Sequence, residues 1–170
     1  INSYTRASQT GTENAALVWG GREAYACTEE YNGTSWVAGG ALISGRQLTG
    51  AAGLQNAALA VGGQGSPGFV QTTDTEEYDG STWAAGGALT IAVRYGNGGG
   101  GVQNSAVNFG DDSAISQHYN GTSWSAGSSK ITSRTVFAST GLGYKALVFG
   151  GVVSPANSAV TEHYDAEFMN

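Results

Sequence analysis

The sequence has few of the residues on which disulfides, metal sites and nucleic-acid interfaces are built. Cys27 is the only cysteine, which rules out an intrachain disulfide and a zinc site made of several cysteines. Only 12% of the 170 residues are charged, with 7 Lys and Arg against 13 Asp and Glu. Because phosphate binding requires clustered cations, a net charge of -6 makes a nucleic acid an unexpected partner.

Long hydrophobic runs are also lacking. The longest apolar runs span about five residues, as at 57–61, whereas a membrane-spanning helix needs roughly 20. No signal peptide is recognisable, and an acidic surface is repelled by anionic membranes, so we expect no membrane insertion. The chain starts with Ile1 rather than Met, as expected of a processed product or a segment of a longer protein.

What the sequence does contain is a repeat that occurs four times. Its first landmark is a run of small and apolar residues ending in a glycine pair or its equivalent, at 14–21, 56–63, 104–111 and 144–151. Its second landmark leads to a Tyr and on to a Trp, at 28–36, 75–83 and 116–124, and the fourth copy at 161–165 stops before a Trp. The tyrosines are 47, 41 and 45 residues apart, a period typical of propeller blades and helical solenoids.

The pattern within each repeat favours strands over helices. Apolar runs of four or five residues alternate with glycine clusters, which predicts short strands. Asn-Gly or Asp-Gly between Tyr and Trp predicts a tight turn, because both residues tolerate positive φ. We therefore predict four strands in each repeat: one after an Arg (Arg6, Arg46, Arg94 or Arg134), one along the apolar run, one ending at Tyr and one starting at Trp. The expected repeats span about 6–45, 46–93, 94–133 and 134–170, the last with residues 1–5 added.

The order of these landmarks resembles the kelch repeat. The residues that carry the resemblance are Arg46 after a fourth strand, the pair Gly62-Gly63 closing the second strand, and then Tyr78 and Trp83. The departures are a short spacing between Tyr and Trp and the replacement of one glycine pair by Gly110-Asp111. The phrase Tyr-Asn-Gly-Thr-Ser-Trp followed by Ala-Gly-Gly-Ala-Leu is also similar to repeat-rich proteins of aquatic bacteriophages. The resemblance to the kelch repeat covers nearly the whole chain and implies one all-β propeller domain of four-stranded antiparallel blades.

One blade cannot bury both faces of its sheet, so the blades are expected to stack on one another. The expected structural core consists of Trp36, Trp83, Trp124, Tyr31, Tyr78, Tyr119, Tyr164, Arg46, Arg94 and Arg134. The last repeat has no fourth strand, and Phe168 is expected to stand in for its Trp. We predict that residues 1–5 supply the missing strand and close a four-bladed ring, which removes the open edge. The alternatives are an excerpt from a larger ring of five to seven blades and a pairing of two chains.

The recurring polar residues predict structure rather than catalysis. Glu29, Glu76 and Glu162 recur at one position, with Gln117 in the remaining repeat. A catalytic pair is needed once, whereas a residue present in every repeat indicates an Arg–Glu pair that braces neighbouring strands. No serine-hydrolase ordering is present, and the carboxylate pair of a glycosidase is a weak interpretation. We expect no catalytic residue, no metal and no cofactor, and the chain is not expected to be an enzyme.

Three further motifs have structural interpretations. His118 and His163 take the repeat position of Glu30 and Glu77, which is expected to point outward because it neighbours a core Tyr in a strand. The glycine run at 96–101 lacks the Lys-Ser/Thr and the helix of a phosphate-binding loop. The glycosylation sequons at 32–34 and 120–122 are expected to be turns, because 79–81 fills the same turn without a sequon.

Function is expected in the loops that do not repeat. The loops after the glycine pairs, at 22–27, 64–74, 112–114 and 152–159, vary in length and are expected to gather at one face. Tyr25, Gln64, Phe69 and Gln71 are the expected ligand contacts, since aromatic and amide side chains suit sugars and peptide surfaces.

With the bacteriophage resemblance, these loops predict a structural or adhesive module of a virion (tail or capsid surface) or an extracellular protein that contacts a host glycan or protein. Other virion or cell-surface proteins and glycans are the expected partners, and self-association into a homo-oligomer is left open. A secreted lectin with one sugar site per blade is the alternative, and a glycoside hydrolase ranks below it.

Overall fold

The computed structural model describes residues 4–94, 98–110, 114–129, 132–143, 145–153 and 155–165. Regular structure in these residues is β-strand apart from one short 3₁₀ turn at Arg22–Ala24. Every strand pairing among them is antiparallel. The prediction of an all-β chain of antiparallel sheets is therefore confirmed.

Each repeat forms one sheet whose strands follow chain order. The first strands are β1 (Ser8–Thr12), β6 (Gly50–Leu54), β12 (Gly98–Val102) and β16 (Ala138–Leu142). The second strands are β2 (Ala15–Trp19), β7 (Ala57–Val61), β13 (Ser105–Phe109) and β17 (Lys145–Phe149). The third strands are β3 (Thr28–Tyr31), β10 (Thr75–Tyr78), β14 (Ser116–Tyr119) and β20 (Thr161–Asp165), and the fourth are β4 (Trp36–Ala38), β11 (Trp83–Ala85) and β15 (Trp124–Ala126). The first three sheets thus have four strands, and the described part of the last sheet has three.

Additional short strands lie in the connections. Strands β5 (Arg46–Gln47), β8 (Gln64–Gly65) and β9 (Val70–Gln71) form a three-stranded sheet. Strands β18 (Val152–Val153) and β19 (Ala156–Asn157) form a hairpin. Two of the variable loops, those of the second and fourth repeats, are therefore built around small hairpins.

The four sheets pack face to face in chain order. The face that carries the Tyr and Trp of a repeat is termed the front face, and the opposite face the back face. Each of the three buried clusters joins one back face to the next front face. The strand residues in these clusters include Leu17 and Trp19 with Ala58, Ala60, Tyr78 and Trp83; Leu59 and Val61 with Ala106, Tyr119 and Trp124; and Val107 and Phe109 with Ala146, Val148 and Tyr164. The core is thus divided into three layers, one between each two neighbouring sheets.

Small residues let the first strands of neighbouring sheets lie close together. The Thr10 hydroxyl donates to the carbonyl oxygen of Gly53 at 2.6 Å. A Cβ built on Gly100 would lie 3.1 Å from the backbone nitrogen of Gly141, tighter than ordinary van der Waals contact. The described part of the glycine run, residues 98–101, lies in strand β12, so its glycines serve strand packing and present no helix terminus to a phosphate.

The described sheets form an open stack, so the prediction of a ring closed by residues 1–5 is wrong. The carbonyl oxygen of Thr5 accepts from the Arg22 amide at 2.7 Å, and that of Arg6 accepts from the Leu48 amide at 3.0 Å. Because this segment is bonded to the first and second repeats, it does not extend the last sheet, in which β20 pairs only with β17 among the described residues. Residues 1–3 and Phe168 lie outside the described residues.

Candidate functional site

The recurring Arg and Glu form buried ion pairs in the second and fourth repeats. Arg46 Nη2 lies 2.9 Å from Glu76 Oε1, and its Nη1 donates to two backbone carbonyl oxygens, those of Gly62 and Asp74. Arg134 pairs with Glu162 in the same way. Burial lowers the pKa of Arg46, and the adjacent Glu76 carboxylate acts in the opposite direction. The expected Arg–Glu brace is confirmed in these two repeats.

The carboxylate at this position also holds the preceding loop. Glu76 accepts from the amides of Ile43 at 2.7 Å and Ser44 at 3.2 Å. Gln117 does the same in the third repeat, where its Oε1 accepts from the amides of Thr90 and Ile91. These repeated polar residues are therefore committed to backbone hydrogen bonds that hold the loops.

The recurring carboxylate of the second repeat borders a cavity but is already engaged. Asp74 and Glu76 line one cavity of about 240 Å³, but Glu76 is buried and occupied by Arg46 and the loop amides. A general acid or base must be available to a substrate proton, which this carboxylate is not. In the described part of the chain, no group of three or more His, Cys, Asp or Glu side chains is placed to hold a metal ion.

The residue that directly follows the recurring Glu or Gln forms a hydrogen bond with the tyrosine of the next repeat, across the interface between the two sheets. Tyr78 donates to Glu30, Tyr119 donates to Glu77 at 2.5 Å, and the Tyr164 hydroxyl lies 2.5 Å from His118 Nε2. Burial, reinforced by these carboxylates, raises the pKa of Tyr78 and of Tyr119 to about 12. The expectation that this position points outward is wrong for the first three repeats, because the next sheet covers it.

The other residues expected in the core differ in burial according to the sheet that carries them. Trp83 Nε1 donates to Thr28 at 3.0 Å and Trp124 Nε1 donates to Thr75 at 2.9 Å, so both indoles are buried on the preceding sheet. Tyr31 and Trp36 are only half-buried, because the described residues place no sheet in front of the first. Arg94 is exposed, unlike Arg46 and Arg134.

The glycosylation sequons lie in turns. Asn32 Oδ1 accepts from the amides of Thr34 and Ser35, both at 3.0 Å. Asn120 makes the same two bonds in the third repeat, and Asp79 makes them in the second. The turn therefore requires a side-chain oxygen at its first position, which Asn and Asp both provide.

The hairpin β8–β9 presents an aromatic ring on a constrained backbone. Phe69 is 45% exposed, and its φ of 53° lies in the left-handed region that a bulky residue rarely adopts. The Gln64 amide, itself buried, donates to the carbonyl oxygen of Phe69 at 2.7 Å and fixes that conformation. Gln64 therefore positions the loop, whereas Phe69 and Gln71 are exposed on it.

These residues border a cavity of about 460 Å³. Its wall consists of Gln64, Gly68, Phe69, Gln71 and Arg94. Sequence reasoning placed Arg94 in the core and missed it as a surface residue. The available signal was Gln117, which replaces the carboxylate that pairs with Arg46 or Arg134 in the second and fourth repeats.

Tyr25 belongs to a neighbouring part of the same surface. It is 52% exposed and borders a cavity of about 590 Å³ with Arg22 and Glu23. The Tyr25 hydroxyl donates to Glu23 at 3.2 Å, and the negative charge of that carboxylate raises the pKa of the phenol. A third cavity, of about 390 Å³, is lined by Ala24 from this loop and by Gln71 from the hairpin. The variable loops of the first two repeats therefore meet, and the loop surface is defined here as Tyr25, Phe69, Gln71 and Arg94.

No protein-family model matches the chain, and no curated protein matches it. The helical content of the described residues is a single three-residue turn, so the part of the chain that the structure describes contains no helix long and apolar enough to cross a membrane.

Proposed function

We propose that the chain is a non-enzymatic, kelch-like structural and adhesive module of a virion or extracellular surface, and that its loop surface contacts a host-surface glycan or protein. The observation that carries the proposal is Phe69, an exposed aromatic side chain on a left-handed backbone that a buried amide holds in place. Backbone strain of this kind costs about 1–3 kcal/mol and is concentrated at functional sites.

The chemistry of the neighbouring side chains fits the same kind of ligand. Phe69 offers an apolar ring and Gln71 an amide, and Arg94 borders the same cavity. An aromatic ring stacks on the apolar face of a sugar or peptide, and the polar groups then fix its orientation. Glu76 and Glu162 add nothing to this site, because both carboxylates are paired inside the scaffold.

A lectin with one site in each repeat is less well supported. Such a protein needs the same side chains in every variable loop, but the first loop is a 3₁₀ turn and the second a hairpin carrying Phe69. The site proposed here belongs to the first two repeats. A glycoside hydrolase is weaker still, since Asp74 shares its cavity with a carboxylate that is already paired.

The test is binding of the labelled protein to an array of bacterial surface polysaccharides and to intact host cells. Phe69→Ala is expected to weaken binding on the order of 30-fold, as removal of an aromatic hot spot does. Val160→Ala is the matched control, because Val160 is exposed but lies on the fourth repeat. Equal binding by both variants, or the absence of any binding to polysaccharide or cells, would contradict the proposal.

A further inference from the structure

The three interfaces between sheets follow one design. In each, a front-face Tyr and small residues pack onto two large apolar residues of the preceding back face. The polar groups are matched as well: the Tyr hydroxyl meets Glu30, Glu77 or His118, and in the first two interfaces the Trp Nε1 meets Thr28 or Thr75. The structure therefore shows in three places what a back face of this chain binds.

The back face of the last sheet carries similar residues, and no described part of the chain covers it. Leu147 is 42% exposed and Phe149 is 40% exposed, whereas their equivalents Leu17, Trp19, Leu59, Val61, Val107 and Phe109 are almost fully buried. Thr161 and His163, which correspond to Thr75 and Glu77, are exposed as well. In the part of the chain that the structure describes, the last sheet therefore presents half of an interface.

The front face of the first sheet is the complementary half. Tyr31 and Trp36 have ring centroids 5.2 Å apart, as Tyr78–Trp83 and Tyr119–Trp124 do at 4.9 Å. The small residues Ala16 and Val18 lie beside them and are half-buried, whereas Ala58 and Ala60 of the second sheet are fully buried. The pair of rings is therefore arranged for an interface before any partner is bound.

We propose that these two end faces bind each other between copies of this chain, head to tail. Tyr31 and Trp36 of one copy pack on Leu147 and Phe149 of the next, with the Tyr31 hydroxyl at His163 and Trp36 Nε1 at Thr161. The occupant is a second copy because this chain carries both halves of an interface that its own sheets form three times. Such an interface is heterologous and produces either a closed ring of copies or an open series.

The first experiment is sedimentation velocity of the full chain over a range of concentrations. Association that increases with concentration is expected, and a protein that stays monomeric at its highest soluble concentration would overturn the proposal. Leu147→Lys places a charge on the back face, and Trp36→Ala removes the ring from the front face. Each is expected to reduce the assembly sharply, whereas Val160→Ala, an exposed site outside both faces, leaves it unchanged.

The second experiment mixes the two variants. Leu147→Lys keeps an intact front face and Trp36→Ala keeps an intact back face, so a one-to-one mixture is expected to form a dimer that neither variant forms alone. Circular dichroism checks that each variant folds, and Phe149→Lys and Tyr31→Lys replace any variant that does not. Failure of the mixture to associate, or wild-type association that none of these changes affects, would refute the head-to-tail arrangement.

Discussion

The second and third repeats use different side chains at two positions of strands that have the same place in their sheets. Strand β10 carries Glu76 and Glu77, and strand β14 carries Gln117 and His118. Both strands lie between the second and fourth strands of their sheets. The front-face side chain holds the preceding loop in both repeats, and the back-face side chain meets the next tyrosine hydroxyl.

The scaffold therefore requires a hydrogen-bond acceptor at the front-face position and a hydrogen-bonding side chain at the back-face position, and neither position requires a carboxylate. Where Glu76 supplies a carboxylate, Arg46 is fully buried against it. Where Gln117 supplies an amide, the corresponding Arg94 is exposed. A buried charge without a partner is strongly unfavourable, so the buried guanidinium is accompanied by a carboxylate in the second and fourth repeats, whereas Arg94 of the third repeat lies on the loop surface.

The largest effect that tests this comparison is expected from truncating the front-face side chain. Glu76→Ala leaves the guanidinium of Arg46 buried without its carboxylate, and we expect a loss of about 3–5 kcal/mol in the free energy of unfolding. Gln117→Ala removes neutral hydrogen bonds only and is expected to cost about 1–3 kcal/mol. Denaturant unfolding of both variants at neutral pH measures the difference. Equal losses would show that the charge of the pair is unimportant.

A charge introduced into the third repeat is expected to have an intermediate effect. Gln117→Glu removes the donor that bonds the carbonyl oxygen of Ile91 at 3.0 Å and places a carboxylate at a fully buried site. We expect a loss of about 1–3 kcal/mol in the free energy of unfolding, because the new carboxylate keeps the hydrogen bonds from the Thr90 and Ile91 amides and only the donor is lost. Gln71→Glu, the same change at an exposed site, is the control and should stay within about 0.5 kcal/mol. Unchanged stability of Gln117→Glu would instead show that Arg94 returns to the core to pair with it.

The strands of this fold were predictable because their signals are local. The spacing between the Tyr and Trp landmarks and the Asn-Gly or Asp-Gly turn between them mark the third and fourth strands, as at Tyr78 and Trp83. Closure was not predictable, because it depends on the small angle between successive sheets and on where Thr5 and Arg6 find backbone partners. No side-chain pattern in the repeat encodes either quantity.

The candidate site was predictable only in part, for a related reason. The exposure of Phe69 follows from its place in a long variable loop. The burial of Gln64 follows instead from the hydrogen bond that its side-chain amide donates to the backbone of that loop. The position of His118 was misjudged because strand alternation was taken to give one solvated face. In a stack of sheets, the preceding sheet covers one face of an internal strand and the following sheet covers the other, as the contact between His118 and Tyr164 shows for the back face of β14.

The back-face exchange of Glu77 for His118 predicts a pH dependence confined to the third interface. Burial lowers the pKa of His118 below its ordinary value of about 6.5. The unfolded chain therefore takes up its proton at a higher pH than the folded chain, so the stability contributed by His118 is complete above the unfolded pKa and is lost as the pH falls through the lowered folded pKa.

We expect His118→Gln to flatten part of the decline in unfolding free energy between about pH 7 and pH 5. If the unfolding free energy of His118→Gln depended on pH in the same way as that of the wild type, the prediction would be wrong. The third interface would then tolerate a charged imidazole, as the second interface tolerates the carboxylate of Glu77.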